Sequence, residues 1–243
     1  MSLQIAGKTV LVTGANRGLG RALVDESLAR GAARVYAASR QTMLAADERV
    51  SLLTMDITNP GQIEEAAARV EALDILINNA GVSVPNDLSD RASFENHLAV
   101  NLFWTLSVTD AFLPLLFRSR GSVVNVVSLS AVAAVPIMPA YSVSKAAALS
   151  VTQCLRALMA NRGVSFHAVL PGPIDTEMVR DLDLPKSPPD AVARGIFDGL
   201  ERREEEIFPD PMSEMLAEAW RSGVTKEFER QNALMNQIKP QVA

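Results

Sequence analysis

One glycine-rich stretch near the start of the chain constrains the fold more than any other feature. The run from Lys8 to Thr13 is typical of a buried parallel strand, and it leads directly into the loop Gly14-Ala15-Asn16-Arg17-Gly18-Leu19-Gly20. The helix-prone segment Arg21 to Arg30 follows at once. A nucleotide-binding loop requires this order, because the glycines let the backbone approach a pyrophosphate and the helix N-terminus supplies N–H donors. The alternative is that the glycines mark a plain turn.

The same alternation of strand and helix continues along the chain. Short apolar runs predict six more strands: Ala33 to Ser39, Val50 to Met55, Asp74 to Ile77, Ser122 to Val127, Val164 to Leu170, and Glu206 to Phe208. Helical patterns lie between them, the longest from Ala92 to Ser119. The sequence therefore predicts an α/β, doubly wound Rossmann fold with a seven-stranded parallel sheet. We expect residues 1–243 to form a single domain, with residues 211–243 as a helical tail.

Composition narrows the class of partner. The 243 residues are 48% hydrophobic and 21% charged, as in ordinary globular proteins, and the net charge of −5 argues against nucleic acid or an anionic membrane. The N-terminal residues lack a signal-peptide pattern, and apolar runs stay short of the roughly 20 residues that span a bilayer. The single cysteine, Cys154, cannot form an internal disulfide. These features predict a cytoplasmic protein without a membrane or nucleic-acid partner.

The end of the second strand indicates which nucleotide is bound. About twenty residues after the glycine loop, a fold that binds NAD places an acidic residue on the ribose 2′-hydroxyl. Here Ser39 and Arg40 occupy that position, and Arg17 in the glycine loop could reach the same group. Serine and arginine suit a 2′-phosphate, so we expect NADPH to be preferred over NADH.

The stretch from Ser128 to Lys145 holds the candidate reactive groups. Tyr141 and Lys145 lie four residues apart at the start of a predicted helix and therefore share a face. A nearby ammonium lowers the pKa of a phenol, toward general acid/base work. Ser128, at the end of a predicted strand, could donate to a substrate carbonyl. Taken alone, Tyr-x-x-x-Lys is more simply a solvent-facing pair.

Three other polar residues have structural alternatives. Asn101 lies among apolar residues of the long helix, where it is either a satisfied structural group or part of the site. We interpret His97 as a surface or structural residue, and His167 as a residue of the sheet. After the sixth strand, the segment from about Glu177 to Pro188 is expected to form a mobile lid beside the site.

Six motifs occur in one order: Thr13-Gly14-x-x-x-Gly18-x-Gly20, Asn78-Asn79-Ala80-Gly81, Asn101, Ser128, Tyr141-x-x-x-Lys145 and Pro171-Gly172. In their order and spacing the chain resembles the simple reductase branch of the short-chain dehydrogenase/reductase family, up to about Asp210. The resemblance implies a proton-relay set of Asn101, Ser128, Tyr141 and Lys145, with Tyr141 as the acid/base. It also implies that Lys145 holds the nicotinamide ribose. The residues expected to bind NADP are Gly14, Asn16, Arg17, Gly18, Leu19, Gly20, Ser39, Arg40, Asp56, Ile57, Asn79, Ala80, Gly81, Tyr141, Lys145, Pro171, Ile174 and Thr176.

The function expected from these residues is hydride transfer between nicotinamide and a ketone, aldehyde or secondary alcohol. Two alternatives stay open: a cofactor-bound regulatory protein without turnover, and a reductase of carrier-bound acyl groups.

The tail departs from the family pattern, in which a Gly-rich segment follows the last strand of tetrameric members. Apolar residues at helical spacing predict a buried face of Met212, Met215, Leu216, Ala219 and Trp220, and a weaker pattern runs through Phe228, Leu234, Met235 and Ile238. We expect the first of these segments to pack on the body, near the lid, or on a second subunit, most simply in a homodimer. The alternative is a frayed end.

Overall fold

A computed structural model describes residues 3–41, 44–45 and 47–235 of the chain. Seven strands form one sheet in the order β3-β2-β1-β4-β5-β6-β7, and all neighbouring strands pair in parallel. Their bounds are Thr9–Thr13 (β1), Arg34–Ser39 (β2), Val50–Thr54 (β3), Ile75–Asn78 (β4), Ser122–Val126 (β5), Ser165–Val169 (β6) and Glu206–Ile207 (β7). The predicted doubly wound fold is confirmed. Strand order reverses between β1 and β4, and in such sheets ligands bind at the carboxyl ends of the strands beside that point.

Helices cover both faces of the sheet. Their bounds are Gly18–Ala29 (α1), Pro60–Arg69 (α2), Arg91–Leu98 (α3), Thr105–Ser119 (α4), Pro139–Met159 (α5), Pro189–Glu201 (α6), Pro211–Arg221 (α7) and Val224–Leu234 (α8). Alternate residues of a strand point to opposite faces. Accordingly, Val10 and Val12 pack with α1 and α6, whereas Leu11 packs with α2 and α4. Each face of the sheet therefore has its own apolar core.

The long predicted helix from Ala92 to Ser119 is divided in the structure. Between α3 and α4, residues Ala99–Trp104 form a π-helical segment that contains Asn101. By length and composition alone, Arg91–Ser119 is the one described helix long and apolar enough to cross a membrane, a test that core helices of globular proteins also pass. Phe112 and Leu116 of α4 are fully buried against the sheet, which accounts for the apolar composition.

The tail packs on the body, but through a different face from the predicted one. Ser213 and Ala217 are the buried residues of α7, whereas Met215 is 77% exposed and Leu216 43% exposed. Ala217 and the partly buried Trp220 join Phe208, at the end of β7, in a third apolar cluster. At the start of α7 a capping box joins Asp210 and Ser213, and the Asp210 carboxylate also accepts the N–H of Gly172 at 2.8 Å, which ties this side of the helix to the body.

The second helix of the tail, α8, is held to the body by ion pairs. Phe228, Leu234 and Met235 are all more than half exposed, contrary to the weaker apolar pattern, and Ile238 lies outside the described residues. The buried residue of α8 is Lys226, which forms ion pairs with Glu205, Glu206 and Glu229. An apolar pattern could not predict this contact.

Candidate active site

The glycine loop has the geometry that phosphate binding requires. Gly14 and Gly18 have φ values of 66° and 53°, a region that favours glycine. A Cβ on Gly20 would lie 2.0 Å from the carbonyl oxygen of Gly14, so only glycine allows α1 to pack this closely on the end of β1. Arg17, at the N-cap of α1, makes no side-chain capping bond. The amino end of α1 thus has no side-chain cap competing with an anion.

Hydrogen bonds fix this loop against the end of β4. The hydroxyl of Thr13 accepts the backbone N–H groups of Asn79 and Ala80, each at 3.0 Å. The side-chain amide of Asn79 donates to the carbonyl of Thr13 at 2.9 Å. A Cβ on Gly81 would lie 3.0 Å from Oδ1 of Asn101 and 3.7 Å from Nζ of Lys145. The Asn79-Ala80-Gly81 turn therefore links the phosphate loop to the candidate reactive groups.

The residues expected to recognise a 2′-phosphate are only partly brought together. Ser39 is buried and its hydroxyl accepts the N–H of Gln41 at 3.1 Å, while Arg40 beside it is exposed. Asn16 of the glycine loop donates to the side chain of Gln41 at 3.1 Å, which places the loop next to this strand end. Arg17 forms an ion pair with Glu177 of the lid. The Arg17 guanidinium is thus already paired with a carboxylate of the lid.

The predicted adenine contacts lie after β3. Asp56 accepts the N–H and hydroxyl of Thr58 at 2.9 and 2.8 Å, which shapes the turn that follows the strand. Ile57 is buried in the core on the α2 side. Both lie at the carboxyl edge of the sheet, as the sequence predicts.

Tyr141 and Lys145 lie on successive turns at the start of α5. Nζ of Lys145 is 5.6 Å from the centre of the Tyr141 ring and donates to the carbonyl of Val126, the last residue of β5, at 2.7 Å. Ser128 lies two residues beyond and forms a hydrogen bond with the phenol of Tyr141. The structure therefore brings Ser128, Tyr141 and Lys145 into one cluster, and the pair is not solvent-facing.

Burial controls the protonation of this cluster. It raises the pKa of Tyr141 to about 12, and the hydrogen bond from Ser128 opposes that rise. This direction is opposite to the lowering we predicted from Lys145. Burial also lowers the pKa of Lys145 to about 8, because the residue is only 6% exposed and its charged form is desolvated. Around neutral pH the phenol carries its proton, as a general acid must.

Asn101 is fully satisfied in its π-helical segment. Its amide donates to the carbonyl of Val82 and to the hydroxyl of Ser144, both at 2.9 Å, and its oxygen accepts the N–H of Val82. Ser144 precedes Lys145 on α5. Asn101 therefore connects the turn after β4 to the helix that carries Tyr141, and it makes no direct bond to Lys145 in the contacts described here.

The two histidines are structural, as predicted. His97 is completely buried and accepts the N–H of Val84 at 3.0 Å. His167 lies in β6 with its Nδ1 2.6 Å from the carbonyl of Glu204, and burial lowers its pKa. Neither ring therefore belongs to the Tyr141 cluster.

The segment that precedes the predicted lid crosses the glycine loop. Pro171 accepts the N–H of Leu129, the residue after Ser128, at 3.0 Å. Further along, Ile174 forms a bridge with Ser187 that closes the base of the lid. The methyl group of Thr176 lies 3.0 Å from the position of a Cβ on Gly18. The segment between Pro171 and Thr176 thus runs from the Ser128 backbone to the phosphate loop.

Asp210 is a site-forming residue that our sequence analysis missed. Its carboxylate accepts the N–H of Gly172 at 2.8 Å and also caps α7 through Met212 and Ser213. Asp210 thereby ties the tail to the Pro171-Gly172 segment. The Asp-Pro-x-Ser sequence is a recognisable helix start and could have indicated the cap, but the bond to Gly172 depends on tertiary structure.

Comparisons with known proteins agree with this geometry. The family model for short chain dehydrogenases matches residues 8–186. A short chain dehydrogenase from Burkholderia cenocepacia, solved in complex with NADP, is 36% identical, with a TM-score of 0.86 over 98% of this chain and 100% of that one. Estradiol 17-beta-dehydrogenase 2 from Mus musculus is 32% identical over 75% of this chain, which spans only 52% of the length of the mouse protein. The ketoacyl reductase HetN of Nostoc sp. is 30% identical over 87% of this chain and 82% of its own length.

Proposed function

Given that the chain belongs to the short-chain dehydrogenase family, we propose that it is an NADP(H)-dependent carbonyl reductase or alcohol dehydrogenase acting on ketones, aldehydes or secondary alcohols. The observation that carries the proposal is the cluster of Ser128, Tyr141 and Lys145 at the carboxyl edge of β5. It lies beside the Gly81 turn, where a Cβ would come within 3.0 Å of Oδ1 of Asn101. This arrangement fits a nicotinamide cofactor, which would supply or accept the hydride when bound.

The side chains divide the remaining work between them. Ser128 donates a hydrogen bond to the carbonyl oxygen and holds it near the phenol. Tyr141 gives its proton to that oxygen in reduction and takes it back in oxidation. Its raised pKa keeps the proton in place until charge develops on the substrate oxygen. Lys145 holds the cofactor ribose, and Asn101 positions α5 through Ser144.

Preference for NADPH rests on the end of β2. An exposed arginine follows the buried Ser39 at the position where a carboxylate would repel a 2′-phosphate. The Burkholderia relative was solved with NADP, which supports the same cofactor here. Arg17 adds a second cation in the glycine loop, once its pairing with Glu177 is exchanged for the phosphate.

Two other functions are distinguishable. Similarity to a ketoacyl reductase supports carrier-bound acyl groups as substrates. However, the two basic residues of the lid already have partners within it, since Lys186 donates to the carbonyl of Arg180 and Arg180 pairs with Glu177. A regulatory protein without turnover would need no acid, yet Tyr141 lies with Ser128 and Lys145.

The decisive experiment is Tyr141→Phe. We expect turnover of ketones to fall by about 10²–10⁴-fold, while NADPH binding, measured by its fluorescence, stays within a few-fold. Tyr36→Phe is the matched control. Tyr36 is the chain's other tyrosine and lies in the core on β2, so this variant should keep full activity. The substrates are 2-decanone, acetophenone, benzaldehyde and a β-ketoacyl thioester. A Tyr141→Phe protein as active as the control, or a parent that binds NADPH and turns over none of the panel, would refute the proposal.

A further inference from the structure

Exposed apolar side chains border the candidate site on four successive connections of the sheet. Val84 follows β4, Val132 and Ile137 lie between Ser128 and Tyr141, Met178 lies in the lid after β6, and Met212 lies in α7 after β7. Their exposures range from 37% to 58%. All of these connections leave the carboxyl edge of the sheet, where open α/β folds bind ligands. An apolar rim of this kind is typical of a binding surface.

Helix α7 is fixed at the side of the site that contains Ser128. Ala217 belongs to the same apolar cluster as Leu129 and Ala131, which directly follow Ser128. Asp210 accepts the N–H of Gly172 and caps α7 at its first turn. The helix is therefore held at its first turn by the Asp210–Gly172 bond and further along by the apolar cluster that contains Leu129 and Ala131.

Met212, in the first turn of α7, lies beside Gly172. Its Cβ and its sulfur lie 3.2 and 3.3 Å from the position of a Cβ on Gly172. The preceding residue, Pro171, accepts the N–H of Leu129. Met212 is thus linked to the Ser128 segment through Gly172 and Pro171. Met212 itself is 37% exposed.

We propose that Met212, on the C-terminal helix α7, is a specificity-determining residue that binds the apolar part of a ketone substrate together with Met178 of the lid. The inference rests on the proposed function and names its substrate class: ketones with an extended apolar substituent. Methionine is flexible and polarisable, so two methionines facing a ligand accept several apolar shapes. The tail then has a direct part in substrate selection, beyond its contact with the body.

A second copy of the chain is the competing occupant of the exposed apolar face of α7. The contacts favour substrate, because Met212 lies against Gly172, and the neighbouring Pro171 accepts the N–H of Leu129, the residue after Ser128. By contrast, Met215 is one turn further along and is 77% exposed. Substrate specificity and solution mass separate the two occupants.

The test compares Met212→Ala and Met212→Leu with Met235→Ala. Met235 is an exposed control at the end of α8, beyond the ion pairs that hold Glu229 to Arg156 in the second half of α5. The assay measures kcat/KM with NADPH for the series from 2-butanone to 2-decanone. In the parent we expect a gain of about three- to fourfold per added methylene until the chain outgrows the rim. Met212→Ala should lose about tenfold on 2-decanone and less than about twofold on 2-butanone. Met212→Leu should restore most of the loss, and Met235→Ala should change neither substrate.

A binding readout works even without turnover. In protein labelled with ¹³C-methyl methionine, adding 2-decanone to the NADP complex should shift the Met212 and Met178 methyl signals but not that of Met235. The inference is overturned by an equal loss on all chain lengths, by no loss, by a changed solution mass with unchanged specificity, or by unmoved Met212 signals. Because the signals are read separately from catalysis, an inactive parent with a shifted Met212 signal would refute the reductase and leave the apolar site standing.

Discussion

Replacing Lys226 tests how the tail is attached to the body. The Lys226 side chain is 2% exposed and its ammonium lies 2.7 Å from Glu206, 2.8 Å from Glu205 and 2.9 Å from Glu229. Glu206, in β7, is equally buried. In Lys226→Ala the buried carboxylate of Glu206 loses a cation that water cannot replace, although the half-exposed Glu205 can be hydrated. The variant should therefore be strongly destabilised.

The loss of stability in Lys226→Ala depends on the ion pairs that remain in the variant. Removing one partner of a buried ion pair costs about 3–5 kcal/mol. Arg156 of α5 still pairs with Glu206 at 2.8 Å and with Glu229, so the lower value, about 3 kcal/mol, is the better expectation. In a chain of this size each kcal/mol lowers the melting temperature by about 2–4 °C, which predicts a fall of about 6–12 °C.

The assay is urea denaturation together with thermal melting of the full chain. Arg230→Ala is the matched control on the same helix, because its ion pair with Glu227 is 3.9 Å long and more than half exposed on both sides. Such surface pairs contribute about 0–1 kcal/mol. If Lys226→Ala were no less stable than Arg230→Ala, the buried ion pairs would not hold the tail, and our account of α8 would be wrong.

Two further predictions concern the cofactor and the pH profile. Ser39→Asp should reverse the preference for NADPH, because a carboxylate beside Arg40 repels a 2′-phosphate and accepts a ribose hydroxyl; equal dissociation constants of the parent for NADPH and NADH would contradict the cofactor assignment. Since burial lowers the pKa of Lys145 to about 8, its positive charge is lost as pH rises through that value, and kcat/KM for ketone reduction should fall above about pH 8. Tyr141, with a pKa near 12, stays protonated throughout this range. In Lys145→Arg the charge persists, so the remaining activity should show no break near pH 8, and an unchanged break would assign it to another group.

Much of the candidate site could be predicted because its determinants are local. A glycine at positive φ, an apolar run that forms a strand and a four-residue spacing on a helix each depend on a few neighbouring residues. Parallel strands bring their carboxyl ends to one edge, so the sequence order already placed Ser128 near the Tyr141 helix. The direction of the Tyr141 pKa shift was predicted wrongly, because burial depends on atoms from distant segments.

The sequence by itself determined the seven-stranded parallel sheet, the glycine loop at its first turn and the face of α5 that carries Tyr141 and Lys145. Only the tertiary structure decided which side of α7 is buried, since apolar spacing defines a stripe but not the surface that covers it. In the structure Asp210 binds the N–H of Gly172, Met212 lies beside the same glycine, and the predicted stripe faces mostly outward. Likewise, a lysine on a helix is expected to face solvent. Lys226 is buried because the fold brings it to Glu205 and Glu206, some twenty residues earlier in the chain, where Glu229 of its own helix also pairs with it.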